Sequence, residues 1–288
     1  MLDPLRRSFR LARWAAHYYG PNHDVTIQTS SGLLTVNSKD WLIGKHLFVK
    51  RSYEVELMID SIDFLFADGY LKERSNGTVV DVGANVGMNS TFLLLEEYFS
   101  NAIAFEPGEE NFRLLEHNAR QNGLSGKMNC FQVALSSSEG QLTLELAEDN
   151  SGDNRIRNST APGEVGEHLR RTTSVSAKTF DTFLSDENVD PATIDLIWMD
   201  IQGHEGHFFR GAEKFFAARK VPVVSEFWPY GILRAGMSEK EYCDIVSNAF
   251  TQVFEYADRG YRAVDISNIA TMFETYRSRR SAANLIFV

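Results

Sequence analysis

Residues Thr78–Gly87 read Thr-Val-Val-Asp-Val-Gly-Ala-Asn-Val-Gly, and this stretch predicts the centre of the fold. The β-branched residues around Asp81 are typical of a strand that is buried on both faces. Gly83 permits a tight turn, and Gly87 permits the close approach of a ligand or a neighbouring backbone. A helix is expected to begin near Met88. The stretch therefore predicts a strand, a glycine loop and a helix, an arrangement that binds nucleotides at the carboxyl ends of parallel strands.

Acidic residues at two strand ends favour a cationic ligand over a dinucleotide. The loop reads Asp-x-Gly-x-Asn-x-Gly, and Asp81 would repel a pyrophosphate but attract the sulfonium and amino groups of S-adenosylmethionine (SAM). The next apolar strand, Ala102–Phe105, ends at Glu106, 19 residues after Gly87. An acid at about that spacing commonly hydrogen-bonds a ribose diol. The alternative is that Asp81 only caps the next helix and Glu106 only faces solvent.

Composition limits the class of protein. The chain has 288 residues, of which 43% are hydrophobic and 24% charged, as expected for a globular protein with a good core. Its net charge of −10 argues against a general nucleic-acid-binding protein. Cys130 and Cys243 are too few and too scattered for a disulfide framework or a zinc site, which suggests a reducing compartment. Since neither a transmembrane run nor a signal peptide is recognisable, we expect a cytoplasmic protein.

Residues 1–75 are predicted to form an extension outside the core, with a helix, a hairpin and a lead-in helix over Glu54–Phe66. The hairpin is expected to pair residues 25–28 with residues 33–36. The segment Met1–Tyr19 is basic and carries an apolar stripe, made by Leu5, Phe9, Leu11, Trp14 and Ala15. One interpretation is a peripheral membrane anchor. The short stripe favours the other, a helix packed on the body or on a partner subunit, and a homodimer would fit.

From residue 76 to residue 288, predicted strands alternate with predicted helices, which indicates an α/β fold with a parallel sheet. The predicted core strands after the first lie at Ala102–Phe105, Lys127–Val133, Ile194–Met199, Val221–Val224, Thr251–Tyr256 and Asn284–Val288. Residues 136–179 interrupt this alternation with a strand over Gln141–Leu146 and a polar loop over Glu148–Gly166. A loop of that length in a compact domain is commonly functional. We interpret the interruption as a substrate-facing insertion, and a surface excursion is the equal alternative.

With these motifs in order, the chain resembles the FkbM family of SAM-dependent methyltransferases. The resemblance covers about Val25 to the C-terminus and implies a Rossmann-like class I methyltransferase sheet of seven strands, the last of them antiparallel. It implies methyl transfer from SAM to a hydroxyl of a sugar, glycolipid, polyketide or related metabolite. The residues that carry it are Tyr53-Glu54, Val80–Gly87, Ala104–Pro107, Asn111, Asn118, Asn122-Gly123, Val133–Ser136, Thr179–Asp181, Met199–Gly203, Glu205 and Gly211-Ala212.

The resemblance also implies roles for individual residues. It implies that the methionine half of SAM is surrounded by Asp81, Gly83, Ala84, Asn85 and Gly87. The cofactor-binding set also includes Asn89, Ser90 and Pro107. Glu106 would hold the ribose, Asn111 would support that loop, Val133 and Ala134 would border the adenine, and Asp200 would lie near the sulfonium. Two residues depart from the family pattern: Trp198 stands where a Lys is frequent, and His204 where a small residue is usual.

His204 is the first candidate for a general base, because an imidazole with a pKa of about 6.5 suits proton transfer near neutral pH. Asp200 or Glu205 could instead accept the proton or orient the ring, and His204 could simply bond to backbone at a helix start. A metal held by Asp200, His204 and His207 is a weaker alternative, since a hard cation prefers oxygen ligands, and we expect no metal.

Glu226, Trp228 and Tyr230 follow the fifth core strand and are candidates for binding a small-molecule or saccharide acceptor. Aromatic rings can stack on the apolar faces of a sugar while the acid accepts its hydroxyls. Ordinary packing of the aromatic residues is the alternative. Two rival functions remain open: a nicotinamide-dependent oxidoreductase, and a SAM-binding but catalytically idle scaffold. The sequence identifies neither the acceptor nor the choice between O- and N-methylation.

Overall fold

The structure, a computed structural model, describes residues 4–288. Its helices are α1 (Pro4–Tyr19), α2 (Ile43–Lys50), α3 (Val55–Ala67), α4 (Met88–Leu95), α5 (Glu109–Gln121), α6 (Phe180–Asp186), α7 (Glu205–Gly211), α8 (Glu213–Ala218), α9 (Pro229–Arg234), α10 (Glu239–Ala249) and α11 (Ile269–Thr275). Its strands are β1 (Asp24–Thr29), β2 (Gly32–Asn37), β3 (Thr78–Val82), β4 (Asn101–Phe105), β5 (Met128–Phe131), β6 (Ala134–Leu135), β7 (Gly140–Leu146), β8 (Arg155–Ile156), β9 (Arg171–Lys178), β10 (Ile194–Met199), β11 (Val223–Phe227), β12 (Val253–Ala257), β13 (Gly260–Val264) and β14 (Ala283–Phe287).

The main sheet runs in the order β13-β12-β14-β11-β10-β3-β4-β5. Strands β3, β4, β5, β10 and β11 are parallel, and β14 is antiparallel to both of its neighbours, β11 and β12. Val80 and Val82 point into the core on one face of the sheet, and Val79 into the core on the other. This alternation confirms the predicted Rossmann-like α/β fold with an antiparallel last strand.

The sheet has eight strands, so the count of seven was too low by one. The extra strand, β13, forms an antiparallel hairpin with β12 across a turn in which Asp258 and Arg259 have φ angles of 51° and 65°. The sequence did not predict this strand. Its five residues lie at the edge of the sheet, and none of them is buried. Its sequence therefore lacks the alternation of apolar and polar residues that indicates a half-buried strand.

Residues 136–179 fold differently from the expected strand and polar loop. They contribute most of a second, four-stranded sheet in the order β6-β9-β7-β8. Residues Arg171–Ala177 of β9 pair antiparallel with β7, and β8 lies inside the segment predicted as a loop. The sequence of β9 is polar except for Val175 and Ala177, which are its buried residues. A strand with only two buried side chains leaves little hydrophobic pattern to detect.

The hairpin of β1 and β2 has the predicted register, with Val25 opposite Val36. Thr35 exchanges two hydrogen bonds with Asn118 of α5, and these bonds fasten the hairpin to the main domain. In α1, Trp14 is fully buried and packs on Phe48 of α2, a helix that the sequence did not predict. Met1 to Asp3, with which the predicted helix begins, lie outside the described residues.

Between residues 4 and 288, no helix combines the length and apolar character needed to cross a membrane.

Candidate active site

The glycine loop after β3 lies directly against the end of β10. Gly83 has a φ of +85°, and a Cβ atom there would lie 2.1 Å from the backbone oxygen of Asp200. Gly87 has a φ of +81° at the start of α4, where a Cβ would lie 2.6 Å from Cδ1 of Leu115. Only glycine combines this backbone conformation with so little space. The loop therefore packs closely against the end of β10 and against α5.

A cleft, the inner cleft, lies at the carboxyl ends of β3, β4 and β10. It brings together many of the residues that the sequence singled out: Gly83, Asn85, Glu106, Pro107, Val133, Ala134, Asp200 and His204. Phe105, Leu135, Leu144 and Ile156 add apolar surface to the same cleft. A cleft with an apolar wall and a few polar groups is typical of a small-molecule site.

Glu106 is the acid of the inner cleft. Its Oε1 accepts from the N–H of Gly108 at 2.8 Å, and its Oε2 accepts from the N–H of Asn85 at 3.0 Å. Burial raises the pKa of Glu106 to about 7, although these two hydrogen bonds oppose the increase. The alternative that Glu106 merely faces solvent is wrong, because the residue is buried and lines the cleft.

A second cavity, the outer cavity, adjoins the inner cleft. The two share Gly83, Asn85, Gly152 and Asp200. The predicted residues Ala84, Asn89 and Glu226 line the outer cavity, together with Ile43, Tyr53, Glu54 and Gln202. Three carboxyl groups, those of Glu54, Asp200 and Glu226, thus face one space.

These three residues form the carboxyl cluster. Gln202 joins two of them, since its Nε2 donates to Asp200 at 2.7 Å and to Glu226 at 3.1 Å. Burial is the largest cause that raises the pKa of each, and the charge of Asp200 adds to the increase at Glu54, whose pKa is about 7. Carboxyl groups with raised pKa values favour a cation beside them, because the cation offsets their mutual repulsion. The cluster therefore suits a positively charged ligand.

A strap made by residues 150–155 closes one side of both cavities. Ser151 donates two hydrogen bonds to Asp40, one from its backbone N–H at 3.1 Å and one from Oγ at 2.5 Å. Asn111 donates to the carbonyl oxygen of Ser151 at 3.1 Å. Gly152 opposes Asn85, and a Cβ on it would lie 3.5 Å from Nδ2 of that residue. The polar loop in the sequence was the signal for this strap, but its partners were not predictable.

Asp81 lines neither cavity. Its Oδ2 accepts from the N–H of Ser90 at 3.2 Å and from the Oγ of Ser90 at 2.5 Å, so the acid holds the first turn of α4. Its Oδ1 is buried with no hydrogen-bond partner, and burial raises the pKa of Asp81 to about 6. These contacts match the alternative in which Asp81 caps the following helix. Ser90 and Gly87 likewise shape the loop without lining either cavity.

His204 lines the inner cleft, but its surroundings keep it neutral. Its Nε2 lies 2.9 Å from Oγ of Ser136, and its ring stacks on His207 with centroids 4.4 Å apart. Burial lowers the pKa of His204 to about 3. Asp200, His204 and His207 do not form a metal-binding group, and no cluster of three or more such ligands occurs in residues 4–288.

Glu205 lies under the loop after β10. Its Oε1 accepts from the backbone N–H groups of Ile201 and Gly203, each at 3.2 Å. It is fully buried and lines neither cavity, and burial raises its pKa to about 7. These contacts fit a residue that holds the loop in place rather than one that reacts with substrate.

Trp228 and Tyr230 also lie outside the walls of both cavities. The indole N–H of Trp228 donates to the carbonyl oxygen of Arg279 at 3.0 Å, and Tyr230 hydrogen-bonds the carboxylate of Glu167. The guanidinium carbon of Arg155 lies over the ring of Trp228, 4.7 Å from the ring centroid. Of the three predicted substrate residues, only Glu226 lines either of these two cavities. Ordinary packing, the alternative for the aromatic pair, describes their contacts.

The strand order, the glycine loop and the acid at the end of β4 define a doubly wound α/β protein with a cleft at the carboxyl ends of its parallel strands. A family model described as the methyltransferase FkbM domain matches residues 81–263. Because this match covers more than half of the chain, the chain belongs to the FkbM methyltransferase family.

Two curated relatives are methyltransferases. Methyltransferase sdnD of Sordaria araneosa is 26% identical over 181 residues, which cover 55% of this chain and 69% of the relative. The 2-O-methyltransferase NoeI of Sinorhizobium fredii (strain NBRC 101917 / NGR234) is 24% identical over 155 residues, covering 50% of this chain and 60% of the relative. A crystal structure of methyltransferase FkbM from Methylobacillus flagellatus KT aligns with a TM-score of 0.46 and 13% identity, covering 99% of this chain and 59% of the other.

Proposed function

We propose that this chain is a SAM-dependent O-methyltransferase that acts on a hydroxyl of a saccharide or related polyhydroxylated metabolite. The observation that carries the proposal is the pair of joined cavities, one lined by Glu106 and apolar side chains, the other by the carboxyl cluster. The relative named as a 2-O-methyltransferase supports transfer to oxygen. SAM would supply the methyl group as a sulfonium donor.

The residues of the inner cleft fit such a cofactor. The carboxylate of Glu106 is held by two backbone N–H groups and can accept hydrogen bonds from a ribose diol. Pro107, Val133 and Ala134 offer a surface on which an adenine can lie. At the junction with the outer cavity, the buried side-chain oxygen of Asn85 has no hydrogen-bond partner. A buried acceptor without a partner fits a ligand that donates to it, such as an ammonium group.

The carboxyl cluster supports a hydroxylated acceptor and supplies a proton acceptor. Carboxylates accept hydrogen bonds from several sugar hydroxyls at once. Raised pKa values bring Asp200 and Glu226 closer to the working pH, where a general base is most effective. His204, with a pKa of about 3, is too weakly basic for this task. We therefore assign proton acceptance to Asp200 or Glu226, and give His204 the role of a neutral wall residue.

Methyl transfer from radiolabelled SAM to a panel of saccharides, glycolipids and hydroxylated metabolites tests the proposal. We expect the wild-type chain to label at least one acceptor and Asp200→Asn to lower the rate by about 10²- to 10⁴-fold, the usual contribution of a general base. Asp195→Asn is the matched control, since Asp195 lies at the opposite end of the same strand. Saturable SAM binding with no labelled acceptor would instead support the idle scaffold.

Two further expectations concern partners and location. The acidic net charge supports a small-molecule acceptor over a nucleic acid. Both cysteines are free thiols, which fits the reducing cytoplasm that we propose for this protein.

A further inference from the structure

Helix α1 turns an apolar face away from the protein. The outward stripe consists of Leu5, Phe9, Ala12, Ala16 and Tyr19, which recur at the spacing of one helix face. All five residues are exposed, with 79% exposure for Leu5, 65% for Phe9 and 79% for Tyr19. Trp14 lies on the inner side, where it is fully buried. In a helix that only packs on its own protein, the apolar face would point inward.

Cationic side chains lie along one side of this stripe, at Arg6, Arg10 and Arg13, and Arg7 lies on the same helix face as Trp14. Arg6, Arg7 and Arg13 are exposed, and half-buried Arg10 donates to the carbonyl oxygen of Val49 at 3.1 Å. Between residues 4 and 19 the sequence has no acidic residue, although the whole chain carries a net charge of −10. Positive charge is thus concentrated on one part of an acidic protein.

Helix α2, against which α1 packs, adds to the same positive surface. Lys45 and Lys50 lie on α2, and Arg51 follows it. The pKa of Arg51 is lowered by burial first and then by the charges of Arg10 and Arg13, so the two helices bring their cations close together. The cationic surface is therefore shared by two elements.

We propose that α1, with the cations of α2, is a docking surface for an anionic lipid bilayer. An apolar stripe bordered by arginines is the pattern of a helix that lies in a membrane interface, with its apolar side chains inserted and its cations near lipid phosphates. The competing occupant is a second copy of this chain. Helix α1 has no acidic residue that could pair with the arginines of a second α1, so charge favours an anionic bilayer.

This inference does not depend on the proposed activity, but it places the docking surface near the outer cavity. Ile43, at the first position of α2, lines that cavity. Helix α2 therefore connects the docking surface with the wall of the outer cavity.

Co-sedimentation of the full chain with vesicles tests the inference. One set of vesicles is pure phosphatidylcholine, and the other is an equal mixture of phosphatidylglycerol and phosphatidylcholine. We expect binding to the anionic vesicles only, and weaker binding at high salt because salt screens the attraction. The double variant Arg6→Gln with Arg7→Gln should lower the partition coefficient on the order of thirtyfold, from two lost cations. The double variant Leu5→Ser with Phe9→Ser should also reduce it.

Controls outside α1 separate docking from general surface changes. Leu169 is 80% exposed, so Leu169→Ser removes a comparable apolar side chain, and Lys127→Glu reverses an exposed charge. Both should bind vesicles as the wild type does. No binding to anionic vesicles, or equal binding to both kinds, would overturn the inference. A dimer in light scattering that the Leu5→Ser with Phe9→Ser variant abolishes, without vesicle binding, would assign the surface to a second copy.

Discussion

The backbone N–H of Asn85 donates a 3.0 Å hydrogen bond to Oε2 of Glu106, and this bond joins the glycine loop after β3 to the acid at the end of β4. Asn85 has a φ of 52°, a conformation that asparagine tolerates better than most residues. Glu106 also accepts from Gly108, so a single carboxylate holds the loops of two neighbouring strands. The inner cleft is therefore organised by its own hydrogen bonds.

We predict that Glu106→Gln weakens SAM binding by about tenfold to a hundredfold, the effect of losing one or two charge-assisted hydrogen bonds. Calorimetric titration measures the change in Kd. Glu109→Gln is the control, because Glu109 is an exposed acid at the start of α5. Equal Kd values for Glu106→Gln and the wild type would remove Glu106 from the cofactor site.

SAM affinity should increase as the pH rises through about 7, the raised pKa of both Glu106 and Glu54. Below that pH the two carboxyl groups are protonated. They then bind the ribose diol and attract a cation more weakly than the ionised carboxylates do. Above it they are ionised, and the affinity should level off. Binding near neutral pH should also release protons, which titrations in buffers of different ionisation enthalpy detect. A pH-independent Kd would contradict this assignment.

Glu226→Gln should stabilise the fold at mildly alkaline pH while reducing activity. Burial, and then the charge of Asp200, raise the pKa of Glu226 above its unfolded value. An acid with a raised folded pKa destabilises the fold above its unfolded pKa, and this effect disappears at lower pH where both states are protonated. Thermal unfolding should show an increase in Tm of about 2–4 °C for each kcal/mol by which the free energy of unfolding rises. The increase should shrink on acidification.

Glu213→Gln is the matched control for that experiment, since Glu213 is an exposed acid. It should leave Tm unchanged at both pH values. A lower Tm for Glu226→Gln at alkaline pH would mean that the hydrogen bond from Gln202 outweighs the cost of burying the charge.

Asp40→Ala should loosen the strap and raise the Kd for SAM about tenfold or more, because two hydrogen bonds from Ser151 and one from Gly44 are lost. Hydrogen exchange should accelerate over residues 150–153. Asp149→Ala is the control: only the backbone oxygen of Asp149 accepts from Trp41 and Leu42, and its side chain is exposed. If both variants bind SAM like the wild type, the strap does not cover the cofactor.

The sequence predicted those parts of the site that the backbone topology determines. Gly83, Asn85 and Glu106 meet because the carboxyl ends of neighbouring parallel strands lie at one edge of the sheet. The spacing of residues along the chain sufficed to find them. Glu54 was recognised only as part of a lead-in motif, since nothing local shows that its carboxyl group points toward Asp200.

Side-chain direction and burial could not be predicted in the same way. Tyr230 follows the same strand as Glu226, yet it hydrogen-bonds Glu167 instead of lining a cavity. His204 has an unperturbed pKa that suits a base, and only the surrounding core lowers it to about 3. Strand β9 was missed because two buried residues carry its hydrophobic pattern.

The central claim is that the inner cleft binds SAM, and calorimetric titration of the wild-type chain with SAM, S-adenosylhomocysteine and NADH tests it most directly. We predict saturable one-to-one binding of SAM and S-adenosylhomocysteine and no binding of NADH, because the carboxyl cluster would repel a pyrophosphate. Saturable binding of NADH without binding of SAM would contradict the account and return the oxidoreductase to first place.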